Sequence, residues 1–148
     1  MAVKPRPAED RLIYLVSMAR NSLLARLKEA FAADGIRVTP AQSVILFLLK
    51  RKDGRTMSEL GGALAIENAT ITGLVDRLER DGFVRRNRSA SDRRATNVAI
   101  TAEGEAEADR ARAAVKRVNE SIKAGFSPAE VEAFRRILLK IVGRPGGK

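Results

Sequence analysis

Residues Thr56 to Gly104 decide the fold, and they read TMSELGGALAIENATITGLVDRLERDGFVRRNRSASDRRATNVAITAEG. Two short helical patterns come first and are followed by a break at Gly82. Two β-prone runs then flank an arginine-rich tip. Helix, turn, helix and hairpin in that order predict a winged helix-turn-helix. In such an arrangement the second helix fits a major groove of DNA, and a charged tip suits a minor groove.

The second helix of this stretch, at about 68–80, has two contrasting faces. Ile71, Leu74, Val75 and Leu78 recur at helical spacing and predict a buried stripe. An ordinary amphipathic surface helix would show the same stripe, but the hairpin that follows favours a DNA-binding helix. A helix that meets base edges needs slim or polar side chains near its start. The residues expected to face DNA are Asn68, Ala69, Thr70, Thr72, Gly73 and Arg77.

Two β-prone runs, at about Phe83–Arg88 and Thr96–Ile100, are expected to form the arms of the hairpin. Their mixture of apolar and basic residues predicts one face against the core and one face in solvent. The residues expected to pack inward are Phe83, Val84, Val98 and Ile100, and those expected to point outward are Arg85, Arg86 and Arg88.

The tip of the hairpin, SASDRR at 89–94, combines one acid with two arginines. An acid one or two residues before an arginine can hold the guanidinium extended through a charge-assisted hydrogen bond. An extended arginine suits a narrow, A·T-rich minor groove, although a solvated charged tip is the plain alternative. Its place after a helix-turn-helix favours DNA, and the expected contacts from the hairpin are Arg86, Arg88, Asp92, Arg93 and Arg94.

The motifs, in this order, resemble the MarR family of transcription regulators over nearly the whole chain. The family pattern opens with Thr-Pro-x-Gln, leaves the helix-turn-helix with Leu-Glu-x-x-Gly and ends the wing with Asp-x-Arg. In this chain those motifs are Thr39–Gln42, Leu78–Gly82 and Asp92–Arg94, and Thr101–Gly104 follows them. The resemblance implies a regulator that pairs through its terminal helices. It also implies a cleft, between those helices and the DNA-binding region, for small and often aromatic or anionic molecules.

Two positions depart from the family pattern. Ala65 stands in the turn where the family often has glycine. Gly73 stands where the family often has arginine, so a long side chain is missing from the expected DNA face. We therefore expect a sequence preference that differs from that of better-known members.

Local signals divide the rest of the chain into helices. The run Val44–Leu49 is apolar almost all round, which places it in the core, and Gly35 is expected to end the first helix. Capping residues mark where helices start. The expected start signals are Thr39-Pro40 with Gln42, Thr56 with Glu59, and Ser127-Pro128 with Glu130.

The terminal segments, 9–34 and 102–142, carry longer apolar stripes than a small DNA-binding region needs. Such an excess is typical of a subunit interface, although these helices can instead fold back on the core. The resemblance favours pairing, so we expect a homodimer. Each of its DNA-binding regions, at 37–101, would bind half of an inverted repeat of about 16–20 base pairs. The chain itself, 1–148, is expected to form a single compact unit.

Three residues are candidates for the lining of the ligand cleft that the resemblance implies. They are Tyr14, Met18 and Phe47, and the spacing of each also fits an ordinary place in the core. The sequence does not identify the ligand.

The composition agrees with a nucleic-acid partner. In 148 residues, an apolar content of 45% permits a core, and a net charge of +10 favours a polyanion. Apolar runs stay well short of the 18 residues of a membrane span, and MAVKPRPAED lacks the apolar core of a signal peptide. We therefore expect a cytoplasmic protein with no membrane contact.

The chemistry of the side chains excludes several classes of site. With no Cys and no His, the chain lacks disulfides, thiol sensors and the usual zinc or copper ligands, so no cofactor is expected. The acids Glu103, Glu105, Glu107 and Asp109 lie on a polar helix and are expected to be solvated, so no enzyme is predicted. Two alternatives to a sequence-specific regulator remain, a nucleoid-type non-specific DNA binder and a winged helix used for protein contacts.

Overall fold

The computed structural model describes residues 11–88 and 96–143, and within them the chain is mainly helical with one small antiparallel sheet. The predicted winged helix-turn-helix is confirmed. Along the chain the elements are α1 Leu12–Ala33, α2 Pro40–Arg51, β1 Arg55–Thr56, α3 Met57–Leu64, α4 Asn68–Arg80, β2 Val84–Arg88, β3 Thr96–Ile100, α5 Ala102–Lys123 and α6 Pro128–Val142.

The predicted capping signals start three of the helices. At α2 the Thr39 hydroxyl accepts from the Gln42 amide at 3.2 Å, and the Thr39 amide donates to the Gln42 side chain at 2.9 Å. Thr56 caps α3 in the same way, by accepting from the Glu59 amide at 3.1 Å. A full capping box also opens α6, where hydrogen bonds from Ser127 lower the pKa of the Glu130 carboxyl.

Helix α2 crosses the core with one buried face. Ile45, Leu46 and Leu49 are almost completely buried, whereas Val44 is 38% exposed. The predicted place of the run Val44–Leu49 in the core is therefore confirmed except at Val44, because Phe47 and Leu48 also pack against the core.

The sheet has three strands in the order β1-β3-β2. Strands β2 and β3 pair in register from Val84 opposite Ile100 to Arg88 opposite Thr96, which confirms the predicted hairpin arms. Strand β1 was not predicted. This strand has only two residues, which are too few to show the alternation of polar and apolar residues. Its Arg55 pairs with Val98 of β3.

Helix α5 packs closely on the rest of the chain through a stripe of small residues. Gly104, Ala108, Ala111 and Ala114 are buried at helical spacing. Glu107 lies in the same stripe and is 2% exposed, with its carboxylate 2.8 Å from the Arg110 guanidinium. The expected solvated acidic face is therefore wrong for Glu107.

The two terminal helices leave large apolar surfaces uncovered. Among the residues of α1 only Phe31 is buried, and none of the residues of α6 is, all of both helices being described. Folding back on the core thus leaves most of these helices exposed. The exposed large apolar side chains of α1 are Leu12, Ile13, Tyr14, Leu15, Val16, Met18, Leu23 and Leu24. Those of α6 and of the turn before it are Phe126, Phe134, Ile137, Leu139, Ile141 and Val142.

Candidate nucleic-acid interface

Helix α4 presents the two faces that its sequence predicted. Ile71, Val75 and Leu78 have no exposed surface and fix the helix to the core, with Leu74 half-buried beside them. The opposite face is open to solvent near the start of the helix. The exposed residues of this face are Asn68, Ala69, Thr70, Thr72 and Arg77. Gly73 lies on the same face and is half-buried.

The turn between α3 and α4 contains a strained residue. Ala65 has φ +52° and ψ +44°, which is the left-handed conformation that closes the C-terminus of α3. A side chain makes this conformation costly, and glycine is the residue that usually adopts it. Alanine in place of the family's usual glycine therefore has a structural consequence. The turn keeps its left-handed conformation, although residue 65 is not the glycine that adopts it most easily.

Close approach of α3 to α4 depends on Gly61. A Cβ at this position would lie 3.3 Å from the side-chain oxygen of Asn68 and 3.3 Å from the carbonyl oxygen of Ile66. A side chain at position 61 would therefore push against the turn and the start of α4.

Thr72 makes a hydrogen bond inside its own helix. Its hydroxyl donates to the Asn68 carbonyl oxygen at 2.9 Å, although the residue is exposed. The Thr72 hydroxyl proton is thus already engaged within the protein.

Arg86 of strand β2 is bound to two acids of α4. Its amide donates to Glu79 Oε2 at 2.8 Å, and its Nε and one terminal nitrogen donate to Glu79 Oε1 at 3.3 and 3.2 Å. The same guanidinium also pairs with Asp76. The hydrogen bonds to Asp76 and then to Glu79 raise the pKa of Arg86, so the group stays charged.

The outward direction predicted for Arg86 is therefore wrong. Adjacent residues of a strand point to opposite faces, so Arg85 and Arg86 cannot both face away from α4. Arg85 and Arg88 are exposed, and Arg86 is half-buried against the helix. Asp76 and Glu79, three residues apart near the end of α4, were the sequence signal that could have identified this contact.

The base of the wing is joined tightly to α5. The Thr101 hydroxyl donates to the Gly82 carbonyl oxygen at 2.7 Å, and Gly82 has the positive φ of +83° expected after a helix end. A Cβ on Gly104 would lie 2.1 Å from the carbonyl oxygen of Phe83. Glycine is required at 104, because another side chain would collide with backbone.

The predicted contacts at the wing tip, Asp92, Arg93 and Arg94, lie outside the described residues. They stay predictions, and so does the role of Arg88, which is exposed at the last described position of β2.

Tyr14, Met18 and Phe47, the three residues proposed to line a ligand cleft, stay predictions. Tyr14 and Met18 are 55% and 52% exposed, so a place in the core is wrong for both in the single chain. Phe47 is half-buried, and the Arg112 guanidinium lies 5.3 Å from its ring centre. An open cleft of about 440 Å³ lies elsewhere, between the end of α4 and the start of α5.

Residues 11–88 and 96–143 contain neither a metal-site cluster nor a membrane-spanning helix. No group of three acidic side chains there is arranged to hold a metal ion. None of the helices in the same ranges combines the length and apolarity needed to cross a bilayer.

The chain is similar in sequence to a known protein family and to several of its relatives. Residues 38–96 match the model of the MarR family. The chain is 34% identical over 135 residues to the HTH-type transcriptional regulator PecS of Dickeya dadantii, a match that covers 89% of this chain and 81% of PecS. It is 26% identical over 96 residues to the organic hydroperoxide resistance transcriptional regulator of Bacillus subtilis.

This chain is also similar to a solved structure. The transcriptional repressor CouR, solved in a complex with a 23-mer DNA duplex, is 26% identical and superposes with a TM-score of 0.86 over 97% of this chain and 100% of that chain. Among curated relatives, the B. subtilis regulator and two others are matched over 64%, 50% and 63% of their length, so the chain spans about half to two thirds of them.

Proposed function

Because the chain belongs to the MarR family of transcriptional regulators, we propose that it is a sequence-specific DNA-binding repressor. The observation that carries this proposal is the start of α4, where slim polar and small side chains stand exposed opposite a fully buried apolar stripe. The neighbour CouR, of the same fold, is bound to DNA in its structure. We expect the protein to act in the cytoplasm.

In the proposed complex α4 enters the major groove and the wing lies along the minor groove. Asn68, Thr70 and Thr72 approach base edges, while Arg77 contacts phosphate or a nearby base. Arg88 and the tip residues 92–94 supply the minor-groove contacts. Arg86 is assigned a different role, because its guanidinium already binds Asp76 and Glu79.

The proposed regulator is a homodimer that pairs through 9–34 and 102–142. Its support is the exposed apolar surface of α1 and α6, where Ile13 is 87% exposed and Ile141 is 65% exposed. An uncovered apolar surface of this extent is unfavourable in water and is typical of a subunit interface. Two-fold symmetry would then place two copies of the 37–101 region on an inverted repeat of about 16–20 base pairs.

Control by a small organic molecule is the remaining part of the proposal. Such a ligand would bind between the paired helices and the DNA-binding region, where Arg112 beside Phe47 offers a cation and an aromatic ring. Release of DNA requires only that the ligand prefer one spacing of the two DNA-binding regions over another. A tenfold loss of DNA affinity corresponds to a preference of about 1.4 kcal/mol.

A selection experiment tests the function. The full-length protein is incubated with a random double-stranded DNA library, and the bound duplexes are sequenced and retested by fluorescence anisotropy against random competitor DNA. We expect an inverted repeat that binds at least about 10³-fold more tightly than random DNA. Equal affinity for all sequences would favour the nucleoid-type alternative. An absence of DNA binding would favour a winged helix for protein contacts.

A further inference from the structure

Thr72 has two branches at Cβ, and the hydrogen bond in α4 assigns one of them. The hydroxyl donates its single proton to the Asn68 carbonyl at 2.9 Å. The exposed side chain is therefore left without a free donor, and it offers a molecule outside the helix its γ-methyl and the lone pairs of its hydroxyl oxygen.

The surroundings of Thr72 leave that methyl accessible. One turn earlier stands Ala69, which is exposed and ends in a methyl group. The next residue is Gly73, where an added Cβ would meet nothing within 4 Å among the described residues. Thr72 thus stands beside small groups at 69 and 73, with the polar residues Asn68 and Asp76 one turn to either side.

The four bases differ in what they offer to such a surface. Guanine presents acceptors in the major groove, and the Thr72 hydroxyl could donate to them only by giving up its bond to Asn68. Adenine and cytosine present amino donors, from which the hydroxyl oxygen could accept, so recognition of either would run through the hydroxyl and not through the methyl. Thymine alone among the four bases carries a methyl group there, and threonine methyl to thymine methyl is a favourable apolar contact.

We propose that Thr72 is a specificity-determining residue that recognises the 5-methyl group of thymine through its own γ-methyl. The proposal rests on the proposed function, because it requires α4 to lie in the major groove. It further assigns the kind of base, and the kind of contact, at one position of each half-site.

The size of the effect follows from the apolar area involved. Burial of one methyl-sized group corresponds to about a fourfold change in affinity. A symmetric site contains the contact twice, so loss of both is expected to weaken binding by about fifteenfold.

Deoxyuridine provides the direct test, because it keeps the pairing and the O4 acceptor of thymine and lacks only the methyl. The probe is the duplex obtained by selection with the wild-type protein, in which each symmetric pair of thymines is replaced in turn by deoxyuridine. Affinities are measured by fluorescence anisotropy for the wild type, Thr72→Ser and Thr72→Val. Circular dichroism confirms that the variants fold.

The wild type is expected to lose about fifteenfold in affinity at one symmetric pair of thymines. Thr72→Ser keeps the hydroxyl and lacks the methyl, so it should bind the thymine and deoxyuridine duplexes equally at that pair. Thr72→Val keeps a methyl and lacks the hydroxyl, so it should retain the wild-type discrimination.

The other outcomes are each decisive. Discrimination that persists in Thr72→Ser, or that disappears in Thr72→Val, overturns the methyl contact and indicates recognition through the hydroxyl or another residue. A wild type that shows no loss at any thymine pair also overturns it. If the wild type selects no preferred duplex at all, the proposed function fails instead.

Discussion

Glu79 of helix α4 accepts three hydrogen bonds from Arg86 of strand β2, one from the backbone amide and two from the guanidinium. The backbone bond ties the strand itself, and not only a side chain, to the helix. Asp76, one turn earlier in α4, pairs with the same guanidinium. The wing and the helix proposed for the major groove are thereby held at one relative angle.

Replacement of Arg86 by Ala should destabilise the protein and weaken DNA binding without removing a phosphate contact. We expect the free energy of unfolding to fall by about 1–2 kcal/mol, since charged but partly exposed hydrogen bonds are lost. The dependence of DNA affinity on salt concentration should keep its wild-type slope. Urea denaturation and anisotropy titrations at several salt concentrations measure the two effects.

Arg88→Ala is the matched control for Arg86, on the same strand but exposed. This variant should keep its stability and lower the salt slope by about one unit, as expected when one cation is removed from the DNA interface. A lower slope for Arg86→Ala would instead assign Arg86 to DNA.

The strained turn predicts a stabilising substitution. Ala65→Gly should raise the free energy of unfolding by about 0.5–1 kcal/mol, because it relieves a left-handed alanine at some cost in unfolded-chain entropy. Ala63→Gly, in the preceding helix α3, should have the opposite sign and lower stability by about 1 kcal/mol. Thermal and urea denaturation of the two variants give the comparison, and equal signs would contradict the assigned strain.

Gly104 should tolerate no side chain. In Gly104→Ala the new Cβ would meet the Phe83 carbonyl, which is backbone and cannot turn away, so we expect a loss of about 3 kcal/mol or more. Gly62→Ala serves as the control, because its Cβ would point into open space among the described residues. That change should stabilise α3 by about 0.5–1 kcal/mol. A soluble, fully stable Gly104→Ala protein would show that α5 can move away from the wing.

The exposed face of α6 predicts the effect of a charge on assembly. Ile141→Glu would place a carboxylate in the proposed dimer interface and should yield monomer in analytical ultracentrifugation at micromolar concentration. Lys140→Glu, one residue earlier and also exposed, should leave the dimer intact. A wild type that sediments as a monomer would contradict the proposed pairing itself.

The composition predicts which chemical signals do not release the protein from DNA. One curated relative is an organic hydroperoxide resistance regulator, but this chain has no cysteine that could be oxidised. Sub-millimolar organic hydroperoxide and zinc chelators should therefore leave DNA affinity unchanged in anisotropy assays. Reversible release by peroxide would require another oxidisable group, such as Met18 or Met57, whose oxidation acts by damaging packing.

Those parts of the structure that depend on local chemistry were predictable from the sequence. The buried stripe of α4 and the capping boxes of α2 and α6 follow from spacing within one helix. In each capping box, backbone amides donate to side-chain oxygens three residues away. The hairpin arms were also predictable, because two short runs that contain apolar residues flank a short polar tip directly after a helix.

Features that depend on contacts between elements were harder to predict. Arg86 was placed on the wrong face because a row of arginines hides the alternation of the strand. Glu107 looked solvated because its buried neighbours are glycine and alanine, which are only weakly apolar although they recur at helical spacing. The DNA-facing residues of α4 stay predictions, since exposure alone does not show what a surface binds.

The contact between Gly104 and Phe83 has a mechanical consequence. Helix α5 starts against the base of the wing with no spare space, and Arg117 and Arg110 farther along it bind Asp34 and Gly35 at the end of α1. Helix α5 is thus held at its start by the wing and farther along its length by the end of α1, and it acts as a rigid lever. A partner subunit or a ligand that tilts α5 would therefore move the wing as well. A small rotation of the pairing helices would then displace the wing relative to the DNA.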